Sequence, residues 1–244
     1  MRQIRIYVDT PLAANSGLTL PPAAAHHVAR VLRLKPGRAL TLFNGRGGQY
    51  PATIESVDGK TVTVALSEHE AVDRESPLTI TLVQAISRGR QMDYTLQKAV
   101  ELGVNRIIPV MSDFGQVKTE AKRLPGKLEH WRGIVASACE QCGRNRLPEL
   151  ANPMALRDWL DTAQPEAPCL LLDTRGGRRL RELPVPEAAI QLIAGPEGGF
   201  SPAEYDSARA AGCISIDLGP RVLRTETAAP AALTACQALW GDLG

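Results

Sequence analysis

Leu218 to Thr227 reads LGPRVLRTET and places two arginines, a glutamate and two threonines immediately before an alanine-rich run. A connection that only joins two elements rarely needs so many polar groups at one point. A guanidinium is a permanent cation for an anionic ligand or a developing negative charge, and a carboxylate can accept a proton. Upstream, Gly195 to Gly199 (GPEGG) holds three glycines in five residues. Glycine lets backbone approach a ligand closely and takes up positive φ. A tight turn between a strand and a helix would account for the same residues, so this loop alone leaves both readings open. Leu172-Asp173-Thr174 begins a third candidate loop.

Other chemistries find little support. No G-x-x-x-x-G-K-[ST] is present, and Gly45 to Gly48 does not form a G-x-G-x-x-G entering a helix. Cys139 and Cys142 form a C-x-x-C inside a helical pattern without a second pair, and core packing accounts for them better than redox or metal chemistry. His26, His27, His69 and His130 lack ligand spacing, and no metal is expected.

The elements that would carry these loops fall into two groups. In the first seventy residues, Ile4–Val8, Ala39–Phe43, Tyr50–Val57 and Lys60–Leu66 read as short strands, with Asp58-Gly59 as a hairpin signal. One helix interrupts them, with Pro22 in its first turn and Ala24, Val28, Val31 and Leu32 on one face. This pattern predicts a small barrel. The polar stretch Val72 to Pro77 marks the boundary, giving residues 1–73 and 74–244. Beyond it, strands at Leu78–Ile86, Arg106–Met111, Cys169–Asp173, Ile190–Ala194 and Ile214–Leu218 alternate with helical stretches, which implies a mostly parallel sheet covered on both faces. In such a sheet ligands bind at the carboxyl ends of the strands, where all three loops would lie. Thr227 is expected to cap the last helix, with Pro230 in its first turn.

A net charge of +2 neither favours nor excludes nucleic acid, so placement of the basic residues matters more. Arg30 and Arg33 share the first helix, Arg88 and Arg90 follow the first strand of the second domain, Arg144 and Arg146 follow a long helix, and Arg221 and Arg224 lie in the last loop. Singly these are solvated charges; convergent, they would make a surface for an anionic substrate. Five cysteines in irregular positions, no apolar leader and no run long enough to span a bilayer point to a soluble, cytoplasmic protein.

Several stretches together are specific. HHVARVLRLKPG (His26–Gly37), RESPL (Arg74–Leu78), QKAVELGV (Gln97–Val104), ACEQCGRNRLPE (Ala138–Glu149), GPEGGFSPAE (Gly195–Glu204) and LGPRVLRTETA (Leu218–Ala228) resemble the ribosomal RNA small subunit methyltransferase E family of the knotted SPOUT class, across nearly the whole chain. The resemblance implies an α/β methyltransferase domain with a C-terminal trefoil knot, preceded by a PUA-like β-barrel that helps hold RNA. It implies a homodimer that methylates N3 of one uridine in small-subunit ribosomal RNA, free or in the subunit, with S-adenosylmethionine as donor. The donor pocket would be lined by Leu172, Gly195, Glu197, Gly198, Leu218, Leu223, Arg224, Thr227 and Ala228. Glu140, Gln141 and Arg144 would lie near the RNA or the dimer seam, and Arg30, Arg33, Arg88, Arg146 and Arg221 would add contacts to RNA. Beside that pocket, Arg224 would stabilise the developing uracil anion and Glu226 would accept the proton, although an ion pair of Glu226 with Arg221 or Arg224 would explain the glutamate equally well. Two other readings stay open at this point: a non-catalytic RNA-binding assembly factor, and a methyltransferase acting elsewhere, for instance on a ribose 2′-hydroxyl.

Overall fold

The computed structural model describes residues 3–115, 124–162 and 167–244. The chain forms two compact units, Met1–Glu75 with Ala136–Leu147, and Ser76–Val135 with Pro148–Gly244.

The first unit is a PUA-like sheet around one short helix. Its elements are β1 (Arg5–Tyr7), β2 (Gly17–Thr19), α1 (Pro22–His26), β3 (Ala39–Phe43), β4 (Tyr50–Asp58) and β5 (Thr61–Leu66), in sheet order β1-β3-β4-β5-β2. β1 runs parallel to β3 and the remaining pairs are antiparallel. The β4–β5 hairpin turns through Gly59 at φ 58°, a conformation that favours glycine. Alternate strand residues such as Ile6, Leu42, Ile54, Val62 and Val64 close on Ala24, Ala25 and Val28 to make one apolar core.

Helix α1 does not continue as an α-helix. His27–Val31 forms a π-helical turn, in which the N–H of Leu32 reaches the carbonyl of His27 at 2.9 Å. The wider turn moves the following residues off the buried face. Val31 is therefore 58% exposed and Leu32 37% exposed, contrary to the expectation that both face the core.

The second unit contains β6 (Thr79–Ala85), α2 (Gly89–Glu101), β7 (Arg106–Met111), α3 (Leu124–Cys142), β8 (Glu149–Leu150), β9 (Met154–Ala155), α4 (Leu156–Thr162), β10 (Cys169–Leu172), β11 (Ala189–Ala194), α5 (Pro202–Ala210), β12 (Ile214–Ile216) and α6 (Thr225–Trp240), though α3 from Ala136 onward belongs to the first unit. The strand order is β12-β10-β11-β6-β7-β8, with β9 also on β7, and every pairing is parallel. Ile80, Leu82, Val83, Leu170, Leu171, Leu192 and Ile193 are buried, as expected for strands covered on both faces. After β12, at the sheet edge, the chain turns back toward the interior and α6 packs on α2. Buried Gln237 fixes that seam by accepting from the Ser76 hydroxyl at 2.7 Å and donating to the Leu102 carbonyl at 2.9 Å. This return brings the loops after β10, β11 and β12 together.

The start of α6 differs from the sequence expectation. Arg224, not Thr227, is the N-cap residue; its carbonyl accepts from the N–H of Thr227 at 2.9 Å and of Ala228 at 2.8 Å. Thr227 is thus already helical and cannot cap with its side chain. Pro230 lies inside the helix rather than in its first turn, so the helix lacks the N–H that would bond to the carbonyl of Glu226.

Candidate functional site

The three loops enclose a cleft of about 530 Å³ at the carboxyl ends of β10 and β11. Of the residues expected there, Leu172, Gly195, Glu197, Gly198, Leu223, Arg224, Glu226 and Ala228 line it. A smaller recess of about 80 Å³ shares Leu172, Leu223 and Ala228 with it and adds Leu218 and Arg221. Thr227 lines neither and is exposed on the first turn of α6. Gln91 and Tyr205 also line the main cleft and had no signal in the sequence, while Thr174, Val222 and Thr225, which line it too, lay within the candidate loops without being assigned to the pocket.

Each wall has a physical anchor. The buried Thr225 hydroxyl donates to the Gly195 carbonyl at 2.7 Å, which leaves Ser87, 3.3 Å away, to donate to Thr225. One side chain thereby ties the start of α6 to the ends of β11 and β6. The Glu197 carboxylate accepts from the backbone N–H of Arg88, the N-cap residue of α2, at 2.9 Å. A Cβ on Gly195 would lie 3.3 Å from the Phe200 ring, and one on Gly198 would lie 3.1 Å from the Cβ of Phe114. Gly199 turns at φ 69° with its N–H on the Pro196 carbonyl.

Asp173, just beyond β10, is fully enclosed. Its carboxylate accepts from Arg175 at 3.0 Å, Arg209 at 2.9 Å and Ser215 at 3.3 Å. Burial on its own would raise this carboxyl, but the bonds from Arg175 and Ser215 outweigh it and hold the group below the ordinary aspartate range. Arg175 also stacks on Tyr205, 3.4 Å from the ring centroid, which fixes an aromatic wall of the cleft.

Part of the GPEGGFSPAE stretch serves the helix rather than the cleft. Ser201 caps α5, accepting from the Glu204 N–H while the Glu204 carboxylate accepts from the Ser201 N–H at 2.8 Å, and the serine hydroxyl donates to Asp113. Replacing Ser201 with Ala should lower stability by about 1 kcal/mol, read as a shifted unfolding midpoint, with ligand affinity in the cleft unchanged.

Arg224 is exposed and Glu226 half-buried, and among the described residues neither side chain has a hydrogen-bond or ion-pair partner. The ion pair that would have explained Glu226 structurally is not formed. A free cation and a free carboxylate therefore border the same cleft.

The expected RNA contacts divide. Arg30, Arg33, Arg88, Arg146 and Arg221 are exposed, with Arg33 at φ 53° directly after the π-helical turn. Gln141 is exposed, whereas the Glu140 carboxylate accepts from the Tyr7 N–H at 2.8 Å, and burial raises its carboxyl against the pull of that bond and of His27 and Arg5. Arg144 requires a correction. Its side chain is 5% exposed and grips the Glu75 carboxylate with two nitrogens, one at 3.1 Å, so it is unavailable to an RNA phosphate. Burial pushes the Cys139 thiol up to about 12, consistent with a packed, unreactive cysteine. Among the described residues no group of three or more His, Cys, Asp or Glu could hold a metal, and no helix is long and apolar enough to cross a membrane.

Residues 74–237 match the family described as RNA methyltransferase domain, and residues 20–67 match the one described as RNA methyltransferase PUA domain. A ribosomal RNA small subunit methyltransferase E from Buchnera aphidicola (subsp. Schizaphis graminum) is 36% identical over 239 residues, covering 98% of this chain and 97% of its own. A crystal structure of such a methyltransferase from Neisseria gonorrhoeae, bound to S-adenosylmethionine, superposes with a TM-score of 0.95 at 38% identity over 100% of both chains. A protein from Legionella pneumophila, also solved with bound S-adenosylmethionine, gives a TM-score of 0.96 at 43% identity over 100% of both chains. The chain belongs to the ribosomal RNA small subunit methyltransferase E family.

Proposed function

We propose that this protein transfers a methyl group from S-adenosylmethionine to N3 of a specific uridine in small-subunit ribosomal RNA, acting in the cytoplasm as a homodimer. Residues 1–73 would help hold the RNA and residues 74–244 would carry the chemistry. The observation that carries the reading is that Arg224 and Glu226, both without partners among the described residues, border the glycine-walled cleft. Its volume falls in the ordinary range for small-ligand sites, roughly 300–1,000 Å³. Leu172, Val222 and Leu223 offer apolar wall for a purine, and the backbone of Gly195–Gly199 and Leu218–Leu223 can bond its edge without charged side chains. When bound, the donor supplies an electrophilic methyl on a sulfonium.

The residues of the chain must then align the acceptor and remove its proton. Uridine N3 loses that proton only about two pH units above neutrality, so forming the anion at pH 7 costs about 3 kcal/mol. Arg224 would offset this cost by facing the uracil oxygens as charge develops, and Glu226 would take the proton. Because N3 lies on the pairing edge, the uridine must leave its pair or stack to enter.

Two measurements test this. Digestion of small-subunit RNA after turnover should yield a nucleoside with the mass and retention of 3-methyluridine, whereas 2′-O-methyluridine would reassign the target. Glu226→Gln should lower kcat about a hundredfold at neutral pH with donor affinity retained. Its rate should then climb about tenfold per pH unit toward pH 9, as the uridine deprotonates unaided. Full turnover of the variant at pH 7 would end the base assignment.

A further inference from the structure

The segment after β10 reads TRGGRRLRE (Thr174–Glu182), four arginines in seven residues, and no part of the donor site accounts for all of them. We propose that it is a phosphate-gripping strap, which holds the ribose-phosphate backbone of the substrate RNA beside the donor cleft. The proposal rests on the methyltransferase reading above and specifies where that enzyme takes hold of its strand.

The backbone fixes the strap rigidly against β12. The N–H of Arg178 bonds to the Ser215 carbonyl at 2.9 Å, and the N–H of Asp217 bonds to the Arg178 carbonyl at 3.1 Å. Gly177 makes that approach possible, because a Cβ there would sit 2.6 Å from the Ser215 carbonyl oxygen. The next turn, Leu180–Glu182, buries Leu180 and packs on α6. The arginines are therefore presented from an ordered platform rather than a free loop.

Their side chains divide into anchors and open charges. Arg175 is committed to Asp173 and to the face of Tyr205. Arg179 reaches Asp217 at 3.4 Å, and its guanidinium lies beside Gly219 in the loop that carries Arg221 and Arg224. Arg178 spends one nitrogen on the Glu182 carbonyl and keeps the rest of its fork, while Arg181 is exposed with no partner among the described residues. The Glu182 carboxylate is itself turned to the Arg179 N–H. Arg178 and Arg181 thus keep open guanidiniums on a strap whose first residue, Thr174, lines the cleft and whose Arg179 reaches the loop of Arg221 and Arg224, two arginines that also lack partners among the described residues. A planar fork matched to phosphate oxygens, repeated next to a cleft that must receive one extruded nucleotide, fits the flanking backbone of an RNA strand.

The test compares the full-length protein with its Arg178→Gln/Arg181→Gln and Arg178→Lys/Arg181→Lys variants. Binding of a small-subunit ribosomal RNA fragment is titrated between low and physiological salt, and S-adenosylmethionine binding is measured separately by calorimetry. Each phosphate that the protein ceases to neutralise should make the slope of log K against log salt less negative by about 0.7–0.9. The double Gln variant should therefore flatten that slope by about 1.5 and bind RNA at least tenfold more weakly, with unchanged donor affinity. The Lys variant should keep the slope and forfeit only part of the affinity. An unchanged slope and affinity in the Gln variant would overturn the proposal, as would a joint loss of donor binding, which would make the strap a support of the cleft. Failure of the wild-type protein to bind S-adenosylmethionine would instead sink the methyltransferase reading itself.

Discussion

Ala228→Trp should abolish detectable S-adenosylmethionine binding while leaving the protein folded. Ala228 stands on the first turn of α6 and lines the wall shared by the main cleft and its smaller recess. Its helical position tolerates a large side chain, since tryptophan costs only a few tenths of a kcal/mol in helix propensity relative to alanine. An indole there must occupy the space that a purine nucleoside would need, because the opposite walls are pinned. Thr225 fixes the glycine loop to α6, and the Arg175 clamp fixes Tyr205. We expect affinity to fall by a factor of about a hundred or more, which is about 3 kcal/mol and beyond compensation by a shifted loop. Calorimetric titration reads the binding and thermal melting reads the fold. Loss of binding with an unchanged melt would place the donor in this cleft. Retained binding would put the donor elsewhere and remove the basis for the roles of Arg224 and Glu226. Ala228→Ser, nearly isosteric, should bind like the wild type and guards against a trivial effect of substitution.

The parts of this architecture that were legible in the sequence are those set by local pattern. β3 and β7 run over the residues that alternation and β-branching indicated, and the parallel sheet follows from buried apolar runs alternating with helices. The loops were legible too, since glycine, proline and charge stand out against flanking apolar strands. Pairings between distant residues were not. The π-helical turn at His27–Val31 has the composition of an ordinary helix, so the periodicity placed Val31 and Leu32 in the core. The β8 and β9 strands are two residues each, too short for a period to register. Thr225 looked like one more polar loop residue, although its hydroxyl holds together two strand ends and a helix, because those partners lie 30 and 138 positions away. Thr227 attracted the capping role by residue type and because it would have put Pro230 in the first turn, but the carbonyl of Arg224 had already begun the helix three residues earlier. Arg144 misled for a related reason. An arginine in a Gly-Arg-Asn-Arg stretch reads as exposed, and only the fold supplies the carboxylate that buries it.

Arg144→Ala is the substitution that should damage stability most. In the first unit, residues 143–147 are stitched to the strands and to 72–75 by a set of bonds centred on that side chain. Its guanidinium is bidentate on Glu75, its carbonyl accepts from Arg5 at 3.2 Å, and Asn145 donates to the Val72 carbonyl at 2.9 Å. Arg74 donates to the Gly143 carbonyl at 2.9 Å, and the Asn145 carbonyl accepts from the N–H of Gly47 at 3.0 Å. Removing the guanidinium leaves the Glu75 carboxylate, only 12% exposed, without its counter-charge. Breaking one half of such a buried pair costs about 3–5 kcal/mol, several times what an exposed pair contributes. We therefore expect a large fall in the urea midpoint. Arg144→Lys should recover only part of it, because an ammonium cannot match both carboxylate oxygens at once. The double variant Arg144→Met/Glu75→Leu should recover most of it, since replacing both charges removes the desolvation cost along with the attraction. The same series separates a structural arginine from one that grips RNA. If Arg144→Ala left stability within about 1 kcal/mol of the wild type, the range of an exposed pair, and weakened RNA binding with a flatter salt dependence, the residue would be a phosphate contact despite its burial. If the double variant restored stability and RNA affinity together, the charge at this position would serve the fold, and the RNA surface would have to be sought among the exposed arginines.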